Sequence, residues 1–442
     1  MKLAIVVQRY GEEINGGAEL HARYIAELLS EHAEVEVLTT CARDYITWRN
    51  EFPAGVNKIN GLTVRRFPVR NTRNTDDFGR RSEYVFRKTH SLKDELNWLN
   101  SEGPKSPELI KYIKLHKNDY NYFIFWCFRY YQAYHGIRNV PSRAILVPTA
   151  ERDDALGLKI FGPLFRGVRA LIYNSFEERA LVENVSENSS VPSAVIGVGS
   201  DIPKRCSAQR FRKRTGIKRR FAIYVGRIDQ NKGCRELFDY FKRYSENRSL
   251  DLDLVLIGNP IIPIPSTPRI KHLGFVSDEQ KFDAIAAAEI LIMPSYFESL
   301  SIVILEAWGL GIPVLVNGQC DVLLGQVIRS NAGLYYKNYE EFSETLHVIE
   351  HDSQLRTELG RNGRSYYQRH YNWSIVEHKW LRMLEQLKRD DQTTVNKSIE
   401  PLPGWLNRHR RLVKPAEDIL RLIPTGPVYP NQLQRKRFQR ND

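Results

Sequence analysis

The stretch "PSYFESLSIVILEAWGLGIPVLV", residues 294–316, carries two carboxylates in unlike settings. From Leu300 to Trp308 nearly every residue is apolar, so the segment reads as a helix buried all round. Glu306 lies inside it, and a lone ionised carboxylate there is costly unless something hydrogen-bonds it. Glu298 stands eight positions earlier, before the helix, with Ser299 as the expected N-cap. That start places Glu306 about two turns in, its side chain tilted back toward the helix start. "EILIMPS" before the helix and "IPVLV" after it read as strands, so the unit is β–loop–α–β, the building block of a parallel sheet.

The same alternation extends in both directions. Upstream, "FAIYVG", "LDLVLIG" and "RIKHLG" are separated by helical stretches. The first half shows "KLAIVV", a helix over about 17–30, "VEVLTT", "LTVRRF", a charged helical region over about 80–116, then "YFIFW", "RAILVP", "ALIYNS" and "SAVIGVG". Val and Ile on both faces of these strands indicate parallel sheets covered on both sides. The expected architecture is two doubly wound βα domains, residues 1–198 and 199–373, with the turn-rich stretch 199–219 as linker. A helix over 374–390 and a basic, proline-rich tail over 391–442 follow. Prolines 401, 403, 415, 424, 427 and 430 exclude a long helix in the tail, and "PAEDILRL" is expected to be a short one with Pro415 at its first position. Ligands of such sheets bind beyond the carboxyl ends of the strands, so a cleft between the domains is the expected site.

The 442 residues allow two cores, and 42 % hydrophobic with 26 % charged residues is an ordinary soluble composition. No apolar run reaches the ~18–20 residues of a membrane span. The first strand begins at once, leaving no room for a secretory leader. Five scattered cysteines without a Cys-x-x-Cys pair argue against disulfide or zinc scaffolds and fit a reducing, cytoplasmic setting. The net charge of +13 is concentrated in "KRCSAQRFRKRTGIKRR" (204–220), with nine cations and no acid, and in "RHRRLVK" and "RKRFQR". These clusters read either as solvated surface or as affinity for anionic membranes and phosphate-bearing substrates. No nucleic-acid-binding signature accompanies them.

Two loops carry phosphate chemistry. "QRYGEEINGGAE" follows the first strand, and Gly16 and Gly17 open a helix whose free N–H groups and positive dipole end suit an anion. Its spacing is not the Gly-x-Gly-x-x-Gly of a dehydrogenase. "YVGRIDQNKG" sets Arg227 and Lys232 between a strand and another helix, a diphosphate clamp or else a basic surface loop, with Asp229 shaping the turn. The two acids then acquire a use. Separated by ~8–12 Å at about 1.5 Å rise per residue, they suit the two ends of a nucleotide-sugar, Glu306 at the ribose and Glu298 at the sugar. The plainer alternative for Glu306 is a buried Glu–Arg pair.

Taken together, "NGGAE", "YVGRIDQNKG" and the two glutamates with seven residues between them resemble the family 4 glycosyltransferases of the GT-B fold. The resemblance covers roughly residues 1–390. It implies two Rossmann-like domains facing across a cleft, a UDP- or GDP-sugar donor and transfer with retention of configuration. By that likeness Glu306 holds the ribose, Glu298 contacts the donor sugar, and Arg227 and Lys232 neutralise the departing diphosphate. Gly16 and Gly17 would lie near the β-phosphate, with Gly226, Ser299, Leu300 and Ser301 lining the donor and Val276 of "GFVS" at the base. Such enzymes often carry a glycine where this chain has Ser301. They often have a histidine where "PTAERDD" offers Glu151 and Arg152, either of which would serve the acceptor side.

No metal or cofactor beyond the donor is implied; Asp251 and Asp253 read as turn residues leading into a strand. The expected partners are the donor and a carbohydrate or lipid-linked acceptor, with peripheral contact at the inner face of the plasma membrane. The alternatives are a nucleotide-sugar epimerase or sugar-phosphate synthase of the same fold, or a non-catalytic basic protein that binds membrane or nucleic acid.

Overall fold

The computed structural model describes residues 1–14, 16–247, 251–391, 397–404 and 412–432. The chain divides into two units. One comprises Met1–Val198 with Glu377–Pro424; the other comprises Gly199–Val376 with Thr425–Gln432.

The first unit holds an eight-stranded sheet. Its strands are β1 (Lys2–Val6), β2 (Glu34–Thr40), β3 (Gly55–Ile59), β4 (Leu62–Phe67), β5 (Tyr122–Trp126), β6 (Ala144–Val147), β7 (Ala170–Tyr173) and β8 (Ser193–Val195). Their order is β3-β4-β2-β1-β5-β6-β7-β8, parallel except for the β3–β4 hairpin. The central strands β1, β5, β6 and β7 are Val, Ile, Leu and Phe runs buried on both faces, as a covered parallel sheet requires. Helices α1 (Gly17–Ser30), α2 (Thr75–Arg87), α3 (Leu92–Glu102), α4 (Pro107–Leu115), α5 (Tyr131–Ile137), α6 (Gly162–Gly167) and α7 (Phe176–Ser186) connect them.

The second unit holds a six-stranded parallel sheet: β9 (Arg220–Val225), β10 (Leu252–Ile257), β11 (Ile270–His272), β12 (Ile290–Met293), β13 (Val314–Asn317) and β14 (Gly333–Tyr336). The order β11-β10-β9-β12-β13-β14 means the chain winds outward one way from β9 and then the other way from β12. The switch point, where doubly wound sheets hold ligands, is therefore at the carboxyl ends of β9 and β12. In the first sheet the corresponding break lies between β1 and β5. The helices here are α8 (Ala208–Thr215), α9 (Cys234–Asn247), α10 (Asp278–Ala287), α11 (Ile302–Leu310), α12 (Asp321–Ser330), α13 (Tyr339–His351) and α14 (Ser353–His370).

Helix α15 (Trp373–Asp390) passes from one unit to the other, and α16 (Ala416–Arg421) belongs to the first. Ala416, Leu420 and Ile423 are part of the first unit's core, beside Leu156, Phe161 and Leu164. Arg152 fastens this segment by donating to the carbonyls of Leu420, Ile423 and Pro424. Beyond it, Gly426 N–H donates to Asp321 and Arg329 to the Val428 carbonyl, both within the second unit.

Several expectations are corrected. The stretch 199–219 is not a bare linker: it contains α8, whose Arg210 and Arg214 pair with buried Asp283 on α10. Pro415 is the N-cap of α16 rather than its first residue. Asp253 is buried within β10 and pairs with Arg219 and Arg269, because an acid on a covered strand must find cations. "RKRFQR" and most of "RHRRLVK" lie outside the described residues.

Candidate functional site

The loop after β9 and the loop after β12 emerge side by side, because their strands are paired. They also touch. Gly233 has φ +70°, and a Cβ there would stand 2.1 Å from the Pro294 carbonyl oxygen, so only glycine lets the loops close on each other. The first loop is shaped as expected by Asp229, which accepts the Lys232 N–H at 2.7 Å and pairs with the Arg227 guanidinium. Tyr224 donates to the Arg227 carbonyl and steadies the turn at Gly226. The second loop delivers Glu298, whose carboxylate meets Lys232 Nζ at 2.7 Å. Arg227, Lys232 and Glu298 thus form one cluster at the switch point, with the Arg227 and Lys232 side chains 39 % and 29 % exposed. Cations so placed remain within reach of a ligand.

Helix α11 begins later than its sequence suggests. The N-cap is Ser301, not Ser299, and its side chain makes no capping bond. Ser301 instead holds φ +72°, a conformation that favours glycine. This is the position where the resemblance leads one to expect glycine. The start of α11 has no side-chain cap, and Leu300 and Ser301 are buried beside it. Glu306 accordingly lies about one turn into the helix, not two.

Glu306 is 2 % exposed. Its Oε1 accepts from Lys281 Nζ at 2.8 Å and from Ser200 Oγ at 3.2 Å. Its Oε2 is buried and has no partner among the described residues. Burial pushes the Glu306 carboxyl up, with Lys281 and Ser200 opposing. Burial is the largest influence on the Lys281 ammonium and would lower it, but the charge and hydrogen bond of Glu306 together with Asp278 outweigh it and the net direction is upward. The cation in this pair is a lysine on α10, not the arginine of the plainer alternative. Each of the two acids is thus matched to one lysine.

Lys281 and Ser200 escaped the sequence reading. Lys281 sits in the first turns of α10, after the capping box of Ser277 and Gln280 that follows Val276. Val276 itself is partly buried in the loop between β11 and α10. Nothing local marks Lys281 as the partner of a residue 25 positions later.

In the first unit, Gly16 is the uncapped N-cap of α1 and Gly17 its first residue. The cation of that loop, Arg9, is bound to Glu19 of α1 at 2.7 Å, both groups buried. The loop after β6 is held from below by Glu178, which accepts the N–H groups of Ala150 and Asn174 while burial pushes its carboxyl up to about 8. Within this loop Arg152 is turned toward the α16 segment, donating to the Pro424 carbonyl at 2.6 Å. Glu151 remains partly buried beside it. Thr149 and Cys127 both have positive φ, and the Thr149 hydroxyl donates to the Cys127 sulfur at 3.1 Å.

Residues 207–366 match the family Glycosyl transferases group 1. TuaC of Bacillus subtilis, named as a teichuronic acid biosynthesis glycosyltransferase, is 27 % identical over 190 residues, which are 40 % of this chain and 47 % of that protein. The chain spans just under half the length of the curated relatives it matches. Among solved structures, the sucrose-phosphate synthase of Thermosynechococcus elongatus superposes with a TM-score of 0.66 at 16 % identity, covering 88 % of this chain and 99 % of that one. Anabaena Alr3699/HepE, solved in complex with UDP-glucose, gives 0.63 at 15 % identity, covering 87 % and 100 %. The fold expected from the motifs is the one found, GT-B, and residues 207–366 are similar to the glycosyl transferases group 1 family.

Proposed function

We propose that this protein is a glycosyltransferase that moves a sugar from a nucleoside-diphosphate donor to a carbohydrate or lipid-linked acceptor in polysaccharide synthesis. The observation that carries the reading is the cluster of Arg227, Lys232 and Glu298 at the switch point of the second sheet. The relative in B. subtilis and the UDP-glucose complex of the Anabaena protein support the reaction class and the donor.

In this reading the donor's diphosphate lies against Arg227, Lys232 and the uncapped start of α11. Cleavage of the sugar–phosphate bond builds negative charge on the departing diphosphate, and fixed cations and N–H dipoles stabilise that charge most in the transition state. Glu298 accepts from hydroxyls of the donor sugar, and Glu306 accepts from the ribose through Oε2. Ser299, Leu300, Ser301 and Gly226 supply backbone groups around the donor, Val276 borders the base, and Gly16 and Gly17 approach the β-phosphate. Glu151 serves the acceptor. Transfer proceeds with retention: the acceptor hydroxyl attacks from the face the diphosphate leaves, and a departing phosphate oxygen takes its proton.

The reaction belongs in the cytoplasm, at the inner face of the membrane when the acceptor is lipid-linked. Among the described residues no helix is long and apolar enough to cross a membrane.

A thermal-shift panel of UDP-, GDP-, ADP- and dTDP-sugars tests the donor class. One nucleotide class should stabilise the protein, by about 2.7 kcal/mol at a hundredfold excess over Kd, and Glu306→Ala should abolish the shift. Labelled donor should then pass its sugar to an acceptor with the anomeric configuration kept. No stabilisation by any of the four would overturn the reading.

A further inference from the structure

The reaction as written gives no part to Lys281, and its surroundings supply one. Glu306 lies in an apolar helix, yet its two oxygens are treated differently. Oε1 is filled twice, by Lys281 and by Ser200, whereas Oε2 is buried without a protein donor among the described residues. Both donors on Oε1 are themselves fixed. Lys281 Nζ also contacts Asp278 at 3.1 Å on its own helix, and the Ser200 carbonyl accepts from Tyr367 at 2.9 Å. A carboxylate that could rotate would share its oxygens among whatever donors approached. This one cannot, because two anchored groups hold one end of it.

We propose that Lys281 is a positioning residue for donor recognition: it keeps Glu306 ionised and occupies Oε1, so that Oε2 alone receives the ribose hydroxyls and the protein prefers ribonucleotide to 2′-deoxyribonucleotide donors. The inference rests on the reading of this protein as nucleotide-sugar dependent. A single oxygen with a full negative charge accepts strongly from both ribose hydroxyls, and a 2′-deoxy ligand forfeits one charge-assisted bond. Without Lys281, a buried Glu306 would take a proton and become a donor on one oxygen, losing that preference.

The test measures binding of UDP and GDP, and of their 2′-deoxy forms, to the full chain by titration calorimetry. The wild-type protein should bind one ribonucleotide at least ~10-fold more tightly than its deoxy form, the usual worth of a hydrogen bond to a charged group. In Lys281→Met that ratio should fall to about 1. Lys281→Arg should restore most of it. If Lys281→Met does not fold, Ser200→Ala should lower the ratio by a smaller factor. A ratio unchanged in whichever of the two variants folds would overturn the inference, as would a wild-type protein that binds UDP or GDP but ignores the 2′-hydroxyl. Failure of the wild-type protein to bind either nucleotide would instead strike at the donor reading itself.

Discussion

The loop that follows β1 and the loop that follows β9 have the same spelling: a buried strand, an arginine, glycines and a helix. They put the arginine to opposite uses. In the first unit Arg9 is buried against Glu19, an acid of the very helix the loop introduces. Gly16 is the space that pair requires, since a Cβ there would stand 2.2 Å from the Glu19 carboxylate. In the second unit Arg227 and Lys232 face acids on loops, Asp229 and Glu298, and keep more than a quarter of their side-chain surface in solvent. The location of the partner acid decides the outcome. An acid inside the following helix draws the cation into the architecture, and an acid on a loop, the cation's own or the next, leaves it at the rim.

The contrast can be broken at either end. Arg9→Ala leaves Glu19 buried without its cation and should cost about 3–5 kcal/mol of stability, read as a fall in the urea midpoint; a midpoint near wild type would erase the distinction. Arg227→Ala with Lys232→Ala should do the reverse. Turnover should drop ~100- to 1,000-fold, as when transition-state donors are removed elsewhere, while the exposed pairs contribute at most about 1 kcal/mol to stability. Acid should separate the units further. Burial holds His21 of α1 down to about 3, so between there and its ordinary range the unfolded chain binds a proton that the folded unit refuses. The contribution of His21 to stability should therefore be lost as pH falls through that window, at up to about 1.4 kcal/mol per pH unit, against the opposite contribution of Glu178 above its ordinary range, and His21→Gln should remove the loss. The smallest effect belongs to Ser301→Gly. Relief of the positive φ and the added chain entropy nearly cancel, each about 1 kcal/mol, so both melting temperature and activity should stay near wild type. A large loss of either would show that the serine side chain itself is needed.

Much of this fold could be read from composition along the chain. The Val- and Ile-rich runs became strands because nothing but a covered parallel sheet buries both their faces, and the oddity of Glu306 was visible because its helix is so apolar. Its partner was not visible. The approach of Lys281 depends on how α10 and α11 lie together, which no spacing encodes. The N-cap was misjudged for a different reason: Ser299 has the right side chain, but the turn closes through Ser301 in a glycine-like conformation without any side-chain bond. The basic stretch 204–220 misled through its one-sided charge. Its acids come from elsewhere in the second unit: Asp283 meets Arg210 and Arg214, Asp251 and Asp253 meet Arg219, and Glu289 meets Arg220. Lys204, Arg205, Lys213 and Lys218 are exposed around them, so the surface offered to an anionic membrane is smaller than the sequence count suggests.

The docking of α16 into the first unit also sets the order in which this protein can be completed during synthesis. A ribosome adding ~5–20 residues per second has released every strand of the second sheet once β14 has emerged. The older, N-terminal layer still lacks Leu420 and Ile423 at that moment. The half that is translated first is therefore sealed only after the second sheet has been made. In the interval its unfilled slot is open to chaperones and proteases, and a stop codon after α15 would leave it open for good.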